Sequence, residues 1–277
     1  MCKQRTCKSI AEQATIEVQK NEIYHRSRLI RSQRKFLFYR AALSTYFLVW
    51  FITQNTAVEL PKHYIYLTTW GETLLNIYFT SAFGLSIYFY MCHEEVEKQQ
   101  KGMIKIILWI CELFRIFSWD VGIMLSIAYW VLLRTDLNPY SWHCHLINSI
   151  SIIADLIITD TQVKLYQFIW TIGIGCVFLL HSMILFFVSD RVDYQIIYEE
   201  TLDWGNYPQR SLLLCVIVVL FFIPIVHLGV YTIQRRRDRM LDRAGFKHLN
   251  PPVVIVSNHT HDSEGISISD ISYAMPQ

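Results

Sequence analysis

Six stretches of this chain are too apolar to face water, and all but one are long enough, or nearly so, to cross hydrocarbon. A helix that crosses a bilayer needs roughly 20 mostly apolar residues. The candidate stretches are residues 36–53, 64–91, 104–133, 145–158, 163–188 and 211–233. The fourth is short and the weakest by hydropathy. Composition agrees with a membrane chain. Of the 277 residues, 53% are hydrophobic and 17% are charged, against about 25% charged in soluble domains. The expected fold class is an all-α polytopic transmembrane helix bundle of about six spans. Pro224 falls inside the sixth, where a membrane helix tolerates a kink.

Charge placement then sets an orientation. Lysine and arginine collect on the cytoplasmic side of spanning helices. Arg26, Arg28, Arg31, Arg34, Lys35 and Arg40 precede or enter the first stretch. Lys98, Lys101 and Lys105 follow the second, Lys164 follows the fourth, and "RRRDRMLDR" follows the sixth. With six spans, all four groups fall on one side, so both termini are predicted to be cytoplasmic. The same count supports the weak fourth span. The opposite loops are poorer in lysine and arginine. Loop 190–210 is acidic, with Asp190, Asp193, Glu199, Glu200 and Asp203, and ends at Arg210. It is the candidate surface for a membrane-protein partner. The lipid bilayer is the other expected partner. No nucleic-acid partner is expected, because the basic residues flank apolar runs and form no separate binding face.

The chain divides into a cytoplasmic N-terminal segment 1–35, a six-span region 36–237 and a tail 238–277 rich in Ser, Asp and Pro that reads as disordered. No cleaved signal segment is expected, since the first apolar run starts near Phe36 and is too long. Seven cysteines show no CxxC spacing, and Cys2 and Cys92 are candidates for acylation. The sequon at Asn258 lies on the predicted cytoplasmic side, where it is not glycosylated.

Polar residues inside the apolar stretches are the informative ones. "YIYLTTWGETLLNIYF" carries Thr68, Glu72 and Asn76 at i, i+4 and i+8, on one helix face. His145, Asn148 and Asp155 share a face of the fourth stretch. If the two stretches run antiparallel, Thr68 meets the level of His145, and Glu72 that of Asn148. His181 on the fifth lies within reach of that level. Glu112 and Arg115 on the third can pair at i, i+3. An ionisable side chain in the bilayer is costly and turns inward. The cluster therefore has three readings. It fastens helices by hydrogen bonds; or a threonine nucleophile works with a histidine base; or Glu72, His145 and His181 hold a metal ion. No cofactor is expected.

Four segments in order, "YIYLTTWGETLLNIYF", "AYWVLL", "HLINSISIIADLII" and "IIYEETLDWGNYP", resemble the Rolling stone family across about residues 36–237. The most specific pieces are Tyr66-Leu67-Thr68-x-Trp70, the His145-x-x-Asn148-Ser149 run, and Leu202-Asp203-Trp204 followed by Pro208. The resemblance implies a multi-pass plasma-membrane protein, whose insect founding member is associated with myoblast fusion. The family is in turn distantly similar to the androgen-induced and androgen-dependent TFPI-regulating proteins, multi-pass hydrolases of fatty-acyl esters with a threonine nucleophile and a histidine. By that resemblance Thr68 and His145 are the candidate catalytic residues. The catalytic histidine of those enzymes is the second of a pair three residues apart, and here Asn148 stands in that place. Asparagine cannot act as a general base. Either His145 has taken over or hydrolysis is lost.

Overall fold

Backbone amides in hydrocarbon must be bonded within their own segment, which restricts spanning structure to helices and closed barrels. The computed structural model, which describes residues 27–57, 64–91, 103–133, 139–188, 196–198 and 202–246, is a helix bundle. Its long helices are α1 (Gln33–Ala57), α2 (Leu67–Met91), α3 (Met103–Ala128), α4 (Pro139–Ile158), α5 (Phe168–Val188) and α6 (Pro208–Arg243). Five of these, all but α3, are long and apolar enough to cross a membrane.

Several bounds differ from the sequence reading. α4 begins at Pro139 rather than near His145, which gives the weak fourth stretch 20 residues. α6 runs on to Arg243, so part of the segment expected to be a tail is helix. Cys2, Cys92, Asn258 and the acidic residues Asp190, Asp193, Glu199 and Glu200 lie outside the described residues.

α3 is the helix with the most buried charge and also the centre of the bundle. It packs against α2, α4, α5 and α6. Two glycines let it approach closely. A Cβ on Gly71 of α2 would lie 2.7 Å from Leu125, and one on Gly122 of α3 would lie 2.5 Å from Ile152 of α4. The charges of α3 point into this packing. Arg115 Nε donates to Glu112 at 2.8 Å, and its guanidinium lies over the Trp119 ring. Asp120 accepts a hydrogen bond from Thr171 of α5 at 2.7 Å and faces His227 Nδ1 of α6 at 2.9 Å. The other ring nitrogen of His227 meets the Lys164 carbonyl at 3.0 Å. One carboxylate thus ties three helices and a loop.

α1 is peripheral and packs along α2. Its link to α4 is ionic. Arg40 Nη1 donates to Asp155 Oδ1 at 2.9 Å, Tyr39 donates to the same oxygen at 3.0 Å, and Tyr78 of α2 donates to Oδ2 at 2.5 Å. Arg40 is 1% exposed and Asp155 0%.

The end of the bundle that carries the arginine-rich run is latched by two further arginines. Arg28 reaches Asp160 at 3.6 Å, Asp238 at 3.5 Å and Asp242 at 2.5 Å. Arg237 donates to the carbonyls of Leu156, Thr159 and Thr161 at the end of α4. At the other end, β1 (Ile196–Tyr198) and β2 (Leu202–Asp203) form an antiparallel hairpin. Ile197, Leu202 and Trp204 are buried with Phe178, against Tyr66, Leu67 and Trp70. The Leu-Asp-Trp run is therefore a cap folded onto α2 and α5. Asp203 organises its turn, accepting from the Asn206 backbone N–H and side-chain amide, each at 2.8 Å.

Removing one partner of a buried ion pair costs about 3–5 kcal/mol, whereas replacing both by apolar groups is often neutral. Asp155→Ala is therefore expected to lower the thermal midpoint in detergent sharply, and Arg40→Met combined with Asp155→Leu to recover most of the loss. Equal midpoints for the single and double variants would remove Asp155 from its place as a fastener.

The hairpin makes a separate prediction. The Asn206 backbone N–H, more than any other group, holds the Asp203 carboxyl below the usual carboxylate range. A depressed folded value means stability that is present above the unfolded value, about 3.9, and lost as pH falls through the folded one. Protection from hydrogen exchange at 202–206, taken relative to the intrinsic rate at each pH, is expected to fall on acidification in the parent, and Asp203→Asn to show no such step.

Candidate functional site

The α2 face that carries Glu72 is set by helical spacing. Thr69, Glu72 and Asn76, at i, i+3 and i+7, are all buried. Thr68 is next to this face and only half-buried. Facing them, α4 departs from α-helical geometry over His143–Ile147, a π turn. In a π turn the hydrogen bond spans five residues, and the Asn148 N–H donates to the His143 carbonyl. The extra residue brings His143 onto the face that already holds Asn148. His143, Cys144, His145 and Asn148 are all buried.

His143 is the residue that meets Glu72. Its Nε2 lies 3.6 Å from Glu72 Oε1, beyond hydrogen-bond distance. Its Nδ1 is 2.8 Å from the Tyr46 hydroxyl of α1. The Trp50 indole lies on its ring, with centroids 3.9 Å apart. Gln54, Cys144 and Asn148 complete the neighbourhood of the Glu72 carboxylate. His145 is placed differently. Its ring stacks on Tyr129 of the turn after α3, with centroids 3.9 Å apart and planes at 7°, and its carbonyl accepts from Trp130.

The site is distinguished by what its polar atoms lack. Thr69 Oγ1, His143 Nε2, His145 Nδ1 and Asn148 Oδ1 are buried and have no hydrogen-bond partner among the described residues, and the Glu72 oxygens make no close hydrogen bond, only looser approaches from Gln54, Cys144 and Asn148. Elsewhere the buried carboxylates Asp155, Asp120 and Glu112 are all bonded. An unfilled buried polar group costs about 1–3 kcal/mol. A group of them on two facing helices calls for a ligand or solvent that offers both donors and acceptors.

The two residues named by the resemblance are not hydrogen-bonded to each other. The Thr68 hydroxyl makes no hydrogen bond among the described residues, and the His145 ring is held by its stack. The sequence reading passed over His143 because a period of 3.6 places it off the face of His145 and Asn148. The usable signal was the closely spaced pair His143-x-His145. His181 lies against Trp70, 5.2 Å between centroids, on the hairpin side. No group of three or more His, Cys, Asp or Glu among the described residues is placed to hold a metal ion.

Comparisons with protein-family models, with curated proteins and with solved structures find no match to this chain.

If Glu72 serves a ligand rather than the fold, its removal should not harm stability. Glu72→Gln is expected to leave the thermal midpoint within about 1 kcal/mol of the parent, or to raise it. A loss as large as that of Asp155→Ala would make this cluster another fastener.

Proposed function

We propose that this is a plasma-membrane protein of Rolling stone type, acting in cell–cell contact or myoblast fusion, and that it does so through the polar part of a lipid held at the Glu72–His143 site. The observation that supports this reading is the set of unfilled buried groups on facing sides of α2 and α4. In this reading α3 is also a span. Its 26 residues measure about 39 Å, against a core of about 30 Å. Its charges, turned inward and paired, do not bar it from hydrocarbon. Six crossings put the arginine-rich end and both termini in the cytoplasm and the hairpin outside, so the site sits in the outer half of the bilayer.

A second reading is supported by the buried threonine hydroxyl on the Glu72 face. The chain would then be an intramembrane hydrolase of fatty-acyl esters, with Thr68 and His145 in the roles the resemblance implies, or Thr69 and His143 as their neighbours in the site. A hydroxyl becomes a nucleophile when an adjacent base takes its proton. Asn148 in the base position weighs against this reading, and binding without turnover is preferred.

Two measurements test these statements. Sequons introduced into 134–138 and 199–201 are expected to acquire glycan, and sequons near either terminus to acquire none; the reverse pattern inverts the orientation. Glu72→Gln with His143→Ala is expected to reach the cell surface and lose contact activity. In the same membranes, a fluorophosphonate probe is expected to leave wild type unlabelled. Labelling that vanishes in Thr68→Ala or Thr69→Ala would establish the hydrolase instead.

A further inference from the structure

The side of the site that faces α1 is thin. α1 packs along α2 and reaches α4 through individual side chains: Arg40 and Tyr39 at Asp155, Tyr46 and Trp50 at His143, and Gln54 at Cys144. Between the Asp155 group and the His143 group, the seam between α1 and α4 carries no further hydrogen bond among the described residues. Tyr46 is 38% exposed, while His143, which it touches, is 1% exposed. Tyr46 and Trp50, both on α1, therefore stand between His143 and the surface of the bundle. The neighbouring α1 residues Val49 and Ile52 are exposed and apolar, as a lipid-facing surface requires. The opposite wall, where His145 stacks on Tyr129 and Ser149 donates to Ser126 at 2.5 Å, is closed by direct contact between α3 and α4.

We propose that the Glu72–His143 site is filled sideways from the bilayer, by the hydroxyl headgroup of an uncharged lipid that passes between α1 and α4 at Tyr46 and Trp50. This rests on the reading that the site holds a lipid. The headgroup class follows from the unfilled atoms. Glu72 and Asn148 offer acceptors, and the Trp50 indole N–H, also unpartnered, is a donor. His143 Nε2 and His145 Nδ1 serve either way according to tautomer. A hydroxyl both donates and accepts, so it can satisfy such a mixture. A phosphate would meet the Glu72 carboxylate, and the arginines buried on α1 and α3 are already engaged by other carboxylates. Arg40 is committed to Asp155, and Arg115 to Glu112. The Tyr46 hydroxyl on His143 is then the bond that opens for entry, and Trp50 is the wall the headgroup passes.

The test uses the full chain in membranes and a clickable monoacylglycerol carrying a diazirine on its acyl chain. Adducts are expected on peptides of α1 and α4 that flank 46–54 and 143–148. Tyr46→Phe removes one hydrogen bond from the doorway and keeps the ring, so capture should speed up about 2- to 10-fold. Trp50→Ala should speed it further, and Tyr129→Ala on the opposite wall should not. A matched phosphatidic-acid probe and a long-chain amine probe should be captured less. Adducts at 143–148 that quicken with Tyr129→Ala and not with Tyr46→Phe would overturn the route while leaving the lipid site standing. Preference for the amine or the phosphatidic acid would overturn the headgroup class. Failure to capture any of the three probes at α2 or α4 would overturn the lipid reading itself.

Discussion

The bundle depends on Asp155. It is a carboxylate with no exposure, reached by an arginine and a tyrosine from α1 and a tyrosine from α2, and carried on α4. In an apolar interior, an unpaired charge costs far more than its partners' attraction yields in water. Three helices are therefore obliged to converge on one point. Asp120 imposes a similar demand on α3, α5 and α6 through Thr171 and His227. Between lipid-like surfaces, apolar contact alone does not tell one helix arrangement from another. These polar nodes do, because each is satisfied in one arrangement.

With that as the rule of the bundle, the Glu72 neighbourhood is its exception. The same kind of residue, nearly as buried, makes no close hydrogen bond and has only His143 at 3.6 Å and the looser approaches of Gln54, Cys144 and Asn148. The backbone around it departs from α geometry in π turns at His143–Ile147 and Tyr129–Leu133, as α6 does away from the site at Val218–Phe222. π turns inside helices are frequent at functional sites, since an inserted residue re-aims the side chains that follow. Here the insertion sets His143 opposite Glu72, and His145 against Tyr129.

The hairpin has a quieter role than its acidic composition suggested. Its described apolar residues, Ile197, Leu202 and Trp204, are turned onto the ends of α2 and α5 and are closed off by Asp203 and its turn. The Leu-Asp-Trp run and the Pro208 that opens α6 serve this cap.

By itself, the sequence determined that the chain is helical and built for a membrane, because length and apolarity of a segment are local properties. It also determined which face of α2 turns inward, since Glu72 and Asn76 share a helical period, and that Glu112 and Arg115 pair at i, i+3. Span ends were less legible, because polar residues such as those of α4 before His145 lower hydropathy without ending a helix. Only tertiary structure decided which carboxylates find partners. Arg40 meets Asp155, and His227 meets Asp120, across more than a hundred residues of chain. Only tertiary structure, too, put His143 beside the Glu72 carboxylate, at the level where the sequence placed Asn148. The reason is the π turn: it changes helical phase by one residue, and nothing in a period of 3.6 announces where such a change will fall.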